Sequence, residues 1–219
     1  QRGLHFGSGD DHMRVGAAKL LLTTTTGALQ PTKDELRRQM LEASEHGYPL
    51  AIHAVEEEAI EATTEALQHI NREVPGLRHR IEHCSECPPR LVQPIKDSGA
   101  MVVTQPGFLY HNGHQYLRDV PSEMQPFLYR IGTWLNAGIP VAFSSDGPVA
   151  PINPLEGLYA AVTRKTATGE RIAPRESIPV GEALRLYTQG GAYAAVEENV
   201  KGTIKPDKLA DLVLIDGDL

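Results

Sequence analysis

"PLAIHAVEEEAIEATTEALQHINREVPGLRHRIEHC", residues 49–84, holds two short apolar runs on either side of one longer stretch. "PLAIHA" (49–54) and "HRIEHC" (79–84) have strand length, and residues 56 to about 72 read as a helix stopped before Pro75. Strand, helix, strand at this spacing is the crossover unit that joins two parallel strands.

The unit repeats outward in both directions. Upstream, "AAKLLLTT" (17–24) is a continuous apolar run punctuated by Gly27 and Pro31. In "TKDELRRQMLEASEHG" (32–47), Thr32 and Glu35 have capping-box spacing, and Gly47 follows the helix end. Downstream come a helix from Pro88 or Pro89 to about Ser98, a strand "AMVVTQ" (100–105) and a long loop "PGFLYHNGHQYLRDVPSE" (106–123). A helix over 125–137 ends at Gly138, and "PVAFSSD" (140–146) is a fifth strand. Helices near 154–165 and 179–196 precede a last strand, "ADLVLID" (210–216). Five apolar strands alternating with helices imply parallel pairing, in either a closed barrel or an open doubly wound sheet. No Gly-x-Gly-x-x-Gly turn or phosphate-binding loop follows any strand, which weighs against a nucleotide-binding doubly wound fold.

With 41% hydrophobic and 22% charged residues, the 219-residue chain is ordinary for a globular protein with a sizeable core. A net charge of −7 argues against nucleic acid and acidic membrane surfaces as partners. No apolar run approaches the roughly 20 residues of a membrane span. Two cysteines give no disulfide framework, so a reducing, cytoplasmic setting is expected. The chain opens at Gln1 and stops just after a strand-like run, and reads as a piece of a longer protein.

Cys84 and Cys87 have the spacing of a metal or redox pair, but a structural zinc site usually takes two such pairs and no second one exists. Packing at a strand end is the simpler reading; a zinc module on His83, Cys84 and Cys87 is the rival. Lys19, His53, His83 and Asp146 form another pattern. They are separated by 34, 30 and 63 residues, one strand–helix unit twice and then two units. In a parallel barrel all strand C-termini converge on one mouth, so residues distant in sequence meet there. Singly, each has a plainer reading: a hydrogen-bonded structural histidine, or a turn aspartate before Gly147-Pro148. Lys19, between Ala18 and Leu20 in a strand expected to be buried, must lose its charge, find a partner or be modified.

Together "AAKLLL", "IHAVEEEAI", "HRIEHC", "VTQPGF", "SSDGPVAPINPL" and "GTIKPDKLADLVLID" resemble the metal-dependent amidohydrolase superfamily, in its amidohydrolase family 3 branch, from about residue 15 onward. The resemblance implies a partial TIM (β/α)₈ barrel, strands four to eight, over residues 1–198, with the start of a small β-sandwich domain over 199–219. It implies a fourth-strand lysine (Lys19), often carboxylated and bridging two metals, and strand-end histidines (His53, His83) on the second metal. The aspartate ending strand eight (Asp146) would bind the first. One or two divalent ions, most simply zinc, would activate a water to hydrolyse a C–N bond of an amide or cyclic amide in a small-molecule substrate. Asp146 would be the catalytic base turned acid. His111 and His114 in "YHNGHQY" are candidate substrate contacts.

The departures are the missing His-x-His pair of the family's first strand, for which His5 and His12 are no substitute, and "TTTTGAL" where an acidic residue and glycine often stand. Arg80 and Glu82, if His83 faces inward, are expected to point outward toward the helices. Five strands leave a barrel open, with side chains such as Val141 and Phe143 lacking an opposing layer, so self-association is expected. The competing reading is a non-catalytic barrel fragment with vestigial ligands.

Overall fold

The computed structural model describes residues 3–10 and 12–218. All five expected strands are present: β1 (Ala18–Leu22), β2 (Leu50–Ala54), β3 (Arg80–His83), β4 (Met101–Thr104) and β5 (Val141–Phe143). They form one sheet in the order β1-β2-β3-β4-β5. A doubly wound sheet reverses its strand order at a switch point, and this sheet does not; sequential order is that of a barrel wall. The pairings from β1 to β4 are parallel. At the last pairing, the Val102 amide donates to the Pro140 carbonyl at 2.9 Å and the Ser144 amide to the Thr104 carbonyl at 3.0 Å.

The chain divides into two compact units. One runs to Val103 and adds Trp134–Pro140; the other holds Thr104–Thr133 and the chain from Val141 on. In the first, α1 (Lys33–Glu45) starts where the Thr32 hydroxyl accepts from the Glu35 amide at 3.4 Å, and the chain leaves it through Gly47 at φ +79°. Leu36 and Met40 from α1, with Ile60, Leu67 and Ile70 from α2 (Glu57–Glu73), are fully buried. So are Leu22, Leu50, Ile52 and Ile81 from the strands. A 3-10 turn at Pro89–Leu91 leads into α3 (Val92–Asp97).

The second unit corrects several sequence expectations. The stretch expected as a loop is a helix, α4 (Pro106–Asp119), with proline at its start and Phe108, Leu109 and Gly113 buried. Gly113 is helical here because of packing: a Cβ would lie 2.4 Å from Thr166 Cγ2 and 2.9 Å from Ile172 Cδ1. The helix expected over 125–137 is interrupted. A 3-10 turn (Gln125–Phe127) is followed by α5 (Ile131–Asn136), and Tyr129 between them has φ +48°. The carbonyls of Leu128 and Tyr129 accept from the buried Arg164 guanidinium at 3.0 and 3.2 Å, which takes them out of any helical ladder. After α6 (Pro154–Thr163), the expected 179–196 helix is α7 (Val180–Arg185), a π-helical segment (Leu186–Gly190) and α8 (Gly191–Ala194). Gly190 allows close approach to β5, since a Cβ there would be 2.8 Å from the Val141 carbonyl oxygen.

Val141 and Phe143 are buried, not stranded on an open face, and the Phe143 ring meets Tyr187 edge-on at 5.1 Å. The strand expected at 210–216 is absent: the segment has no ladder partner, and Val213 and Leu214 are 85% and 99% exposed.

Candidate metal centre

In the first unit, His53 lies within β2 and His83 closes β3, the neighbouring strand. Register sets His53 beside Glu82 and Ala54 beside His83. Side chains alternate along a strand and register partners share a face, so regular alternation would send His83 to the face opposite His53. His83 instead has φ +71° and Cys84 φ +53°. This left-handed backbone is costly for residues with a Cβ, and it breaks the alternation. It is held by the Cys84 amide, which donates to the Ala54 and Glu82 carbonyls at 3.0 Å, and by the Glu86 amide to Val55 at 2.9 Å. The two imidazoles consequently meet edge to face, ring centroids 4.4 Å apart at 70°. His83 is buried and His53 partly buried.

The same register corrects the expected orientation of Arg80 and Glu82. They share the face of His53 and Lys19, while Ile81 is buried on the other. Glu82 is largely buried beside His53, and Arg80 Nε donates to its Oε1 at 2.5 Å, which satisfies the carboxylate. The signal for this was in "RIEH": the polar residues at 80 and 82 alternate with Ile81, and only an assumed inward His83 turned them the wrong way.

Lys19 stands beside Ala51 and Leu21 beside His53, so the lysine lies on the histidines' face one alternate step back along the strand. It is exposed, because β1 is the first strand in the sheet order and has a neighbour on one side only. The burial expected of it is therefore absent. Beyond β1, where an acidic residue was expected, Thr23 Oγ1 donates to Glu56 Oε1 at 2.8 Å. The other Glu56 oxygen is buried without a partner among the described residues. Burial, and next the charges of Glu56 and Glu57, raise the carboxyl of Glu86 above its usual range. Carboxyl groups thus gather at this end of the strands.

Cys84 and Cys87 are both buried and unoxidised, and burial, then the neighbouring Cys87, pushes the Cys84 thiol well up. That is the environment of packing cysteines rather than of reactive or metal-bound thiolates. Among the described residues no group of three or more His, Cys, Asp or Glu side chains is placed to hold a metal ion. His53 and His83 are a pair of imidazole donors at contact distance, which suits a divalent ion, but a pair is only half of a ligand shell.

In the second unit, Asp146 follows β5, exposed and at φ +55°, with its carbonyl accepting from the Val149 amide at 2.9 Å. His111 and His114 lie on α4, not in a loop. His111 Nε2 is 2.9 Å from Glu156 Oε2 of α6, and the exposed His114 adds to the charge environment of Glu170.

The likenesses to known proteins agree with this architecture. The chain is 29% identical over 197 residues to the N-substituted formamide deformylase of Arthrobacter pascens, covering 89% of this chain and 36% of that protein. It is 28% identical to the putative amidohydrolase YtcJ of Bacillus subtilis, covering 89% and 37%. The chain thus spans little more than a third of the length of these curated relatives. In fold it matches an uncharacterized metal-dependent hydrolase of Pyrococcus horikoshii OT3 with a TM-score of 0.84 at 23% identity, over 99% of this chain and 47% of that one. The sequence pattern of the amidohydrolase family matches residues 3–219, so the five-stranded parallel sheet is part of a TIM barrel and the chain belongs to the amidohydrolase family, in its family 3 branch.

Proposed function

We propose that this chain carries part of the active site of a metal-dependent hydrolase that cleaves a C–N bond in an amide or cyclic amide. One observation carries the reading: two imidazoles, on neighbouring parallel strands, are brought to 4.4 Å by a strained left-handed residue at the end of β3. Backbone strain of this kind costs about 1–3 kcal/mol and persists where the surrounding structure enforces it, commonly at functional sites. The likeness to a formamide deformylase supports the choice of bond.

His53 and His83 would hold one divalent ion, zinc being the simplest match to imidazole donors, with Lys19, once carboxylated, as a further ligand, and Asp146 would ligate the first ion of a two-metal site. The bound ion would supply Lewis acidity, polarising the scissile carbonyl and making a water molecule acidic enough to attack near neutral pH. Asp146 takes no side-chain hydrogen bond from the described residues, so its carboxylate is available to accept the water's proton and return it to the leaving nitrogen. Its exposure leaves it open to a small-molecule substrate. Arg80, paired with Glu82 beside His53, fixes the charge next to the ligand pair. Residues 199–219 would be the start of a small β-domain.

Plasma mass spectrometry of the full protein tests the ligand pair. His53→Ala and His83→Ala should each lose most of the bound divalent metal and the release of amine from an N-substituted formamide. Unchanged metal content in both variants refutes the assignment.

A further inference from the structure

The second unit contains a concavity of about 380 Å³ between the end of α4, the 3-10 turn Gln125–Phe127 and residues 171–175. Its size is that of a small-molecule site. Leu117, Pro126, Ile172, Ala173 and Pro174 give it an apolar wall, and two of these are conformationally stiff prolines. Two arginines, Arg171 and Arg175, are among its lining residues, and no acidic residue is.

Neither arginine has an ion pair or a side-chain hydrogen bond among the described residues, whereas elsewhere in this chain Arg90, Arg118, Arg130 and Arg185 are each paired with a carboxylate. The nearby acids are occupied. Glu176 accepts from Arg130 and Thr133, Glu170 from the Thr166 hydroxyl, and Glu123 from Ser122.

Beneath the wall a third cation adds to the potential. Arg164 is fully buried and donates to three backbone carbonyls, including Ile172 at 3.1 Å, with no carboxylate in contact among the described residues. Burial lowers it to about 10, so it remains charged at neutral pH. Its bond to Ile172 also pins the cavity floor, and Ala173 is held at φ +45° before the turn that leads to Arg175. A preset apolar wall flanked by two arginines without a partner among the described residues is matched by a planar or tetrahedral oxyanion.

We propose that this concavity binds a small organic oxyanion, a carboxylate or phosphate carried on a compact apolar body, with Arg171 and Arg175 holding the charge. The site stands apart from the hydrolase reading and does not depend on it. Calorimetric titration of the full chain with benzoate, phenyl phosphate and inorganic phosphate tests it. Benzoate or phenyl phosphate should bind saturably and more tightly than inorganic phosphate, and the preferred one identifies the headgroup. Arg171→Ala and Arg175→Ala should each weaken that binding by about tenfold, the scale of one charge-assisted hydrogen bond. Both side chains are exposed, so unfolding midpoints should stay at the wild-type value. Arg185→Ala, outside the cavity, should bind normally. No saturable binding of either organic anion, equal binding of inorganic phosphate, or an unchanged affinity in either cavity variant overturns the proposal.

Discussion

Replacing Gly113 by alanine puts the packing of α4 to a direct test. The new methyl would lie 2.4 Å from Thr166 Cγ2 and 2.9 Å from Ile172 Cδ1. Neither neighbour can yield easily. Thr166 is 2% exposed with its hydroxyl engaged by Thr168 and Glu170, and Ile172 is 1% exposed. Forcing one extra methyl into a packed core costs about 1–3 kcal/mol, and overlap this severe belongs in the upper half of that range. Alanine returns about 1 kcal/mol in helix propensity. The net expectation is a loss of about 1–2 kcal/mol. Gly107 in the same helix supplies the control, because a Cβ there meets nothing within 4 Å. Gly107→Ala should stabilise by a few tenths of a kcal/mol, up to about 1. Urea unfolding followed by circular dichroism reads both. With a slope of about 2–3 kcal/mol per molar, the two midpoints should separate by about 0.5–1 M in opposite directions from wild type. A Gly113→Ala protein as stable as wild type would show that α4 does not pack against Thr166 and Ile172 as described.

His79 is buried, its Nδ1 accepts from the Leu50 amide at 3.1 Å, and burial lowers it from 6.5 to about 4. The unfolded chain therefore binds the extra proton first, and stability should fall as pH drops from about 6.5 to about 4, by a few kcal/mol at most; His79→Asn should flatten that slope in unfolding measured across the window. Asp146→Asn should keep the fold and the unfolding midpoint, since the carboxylate is exposed, while lowering turnover of the full protein about 10²-fold in an amine-release assay. Removing residues 210–218, where Leu212, Val213 and Leu214 are exposed, should leave the melting temperature of this chain unchanged by differential scanning calorimetry. A clear drop would mean that the segment packs in a way its exposure denies.

The local pattern was enough for the five strands, the order of their helices and the placing of His53 and His83 on neighbouring strands. Apolar runs of strand length and a threonine cap three residues before Glu35 act over a few residues, and chain-local physics dictates them. It was not enough for α4, where Gly107, Asn112 and Gly113 read as loop residues although Gly113 is there to admit Thr166, more than fifty residues away. Nor could it foresee the break at Leu128–Tyr129, made by a buried arginine from the end of α6. The strand expected at 210–216 met the opposite limit, because alternation specifies a face but a ladder needs a partner.

At the candidate site, unit spacing places His53 and His83 on neighbouring strands, since a parallel sheet brings successive strand ends together. The tertiary structure alone decided which way they face. Pleating would have sent the two rings to opposite sides, and a left-handed φ at His83, held by the Ala54 and Glu82 carbonyls, turns them together. That backbone state has no signature in a histidine or a cysteine. It depends on hydrogen bonds to a neighbouring strand, and these exist only once the sheet has formed.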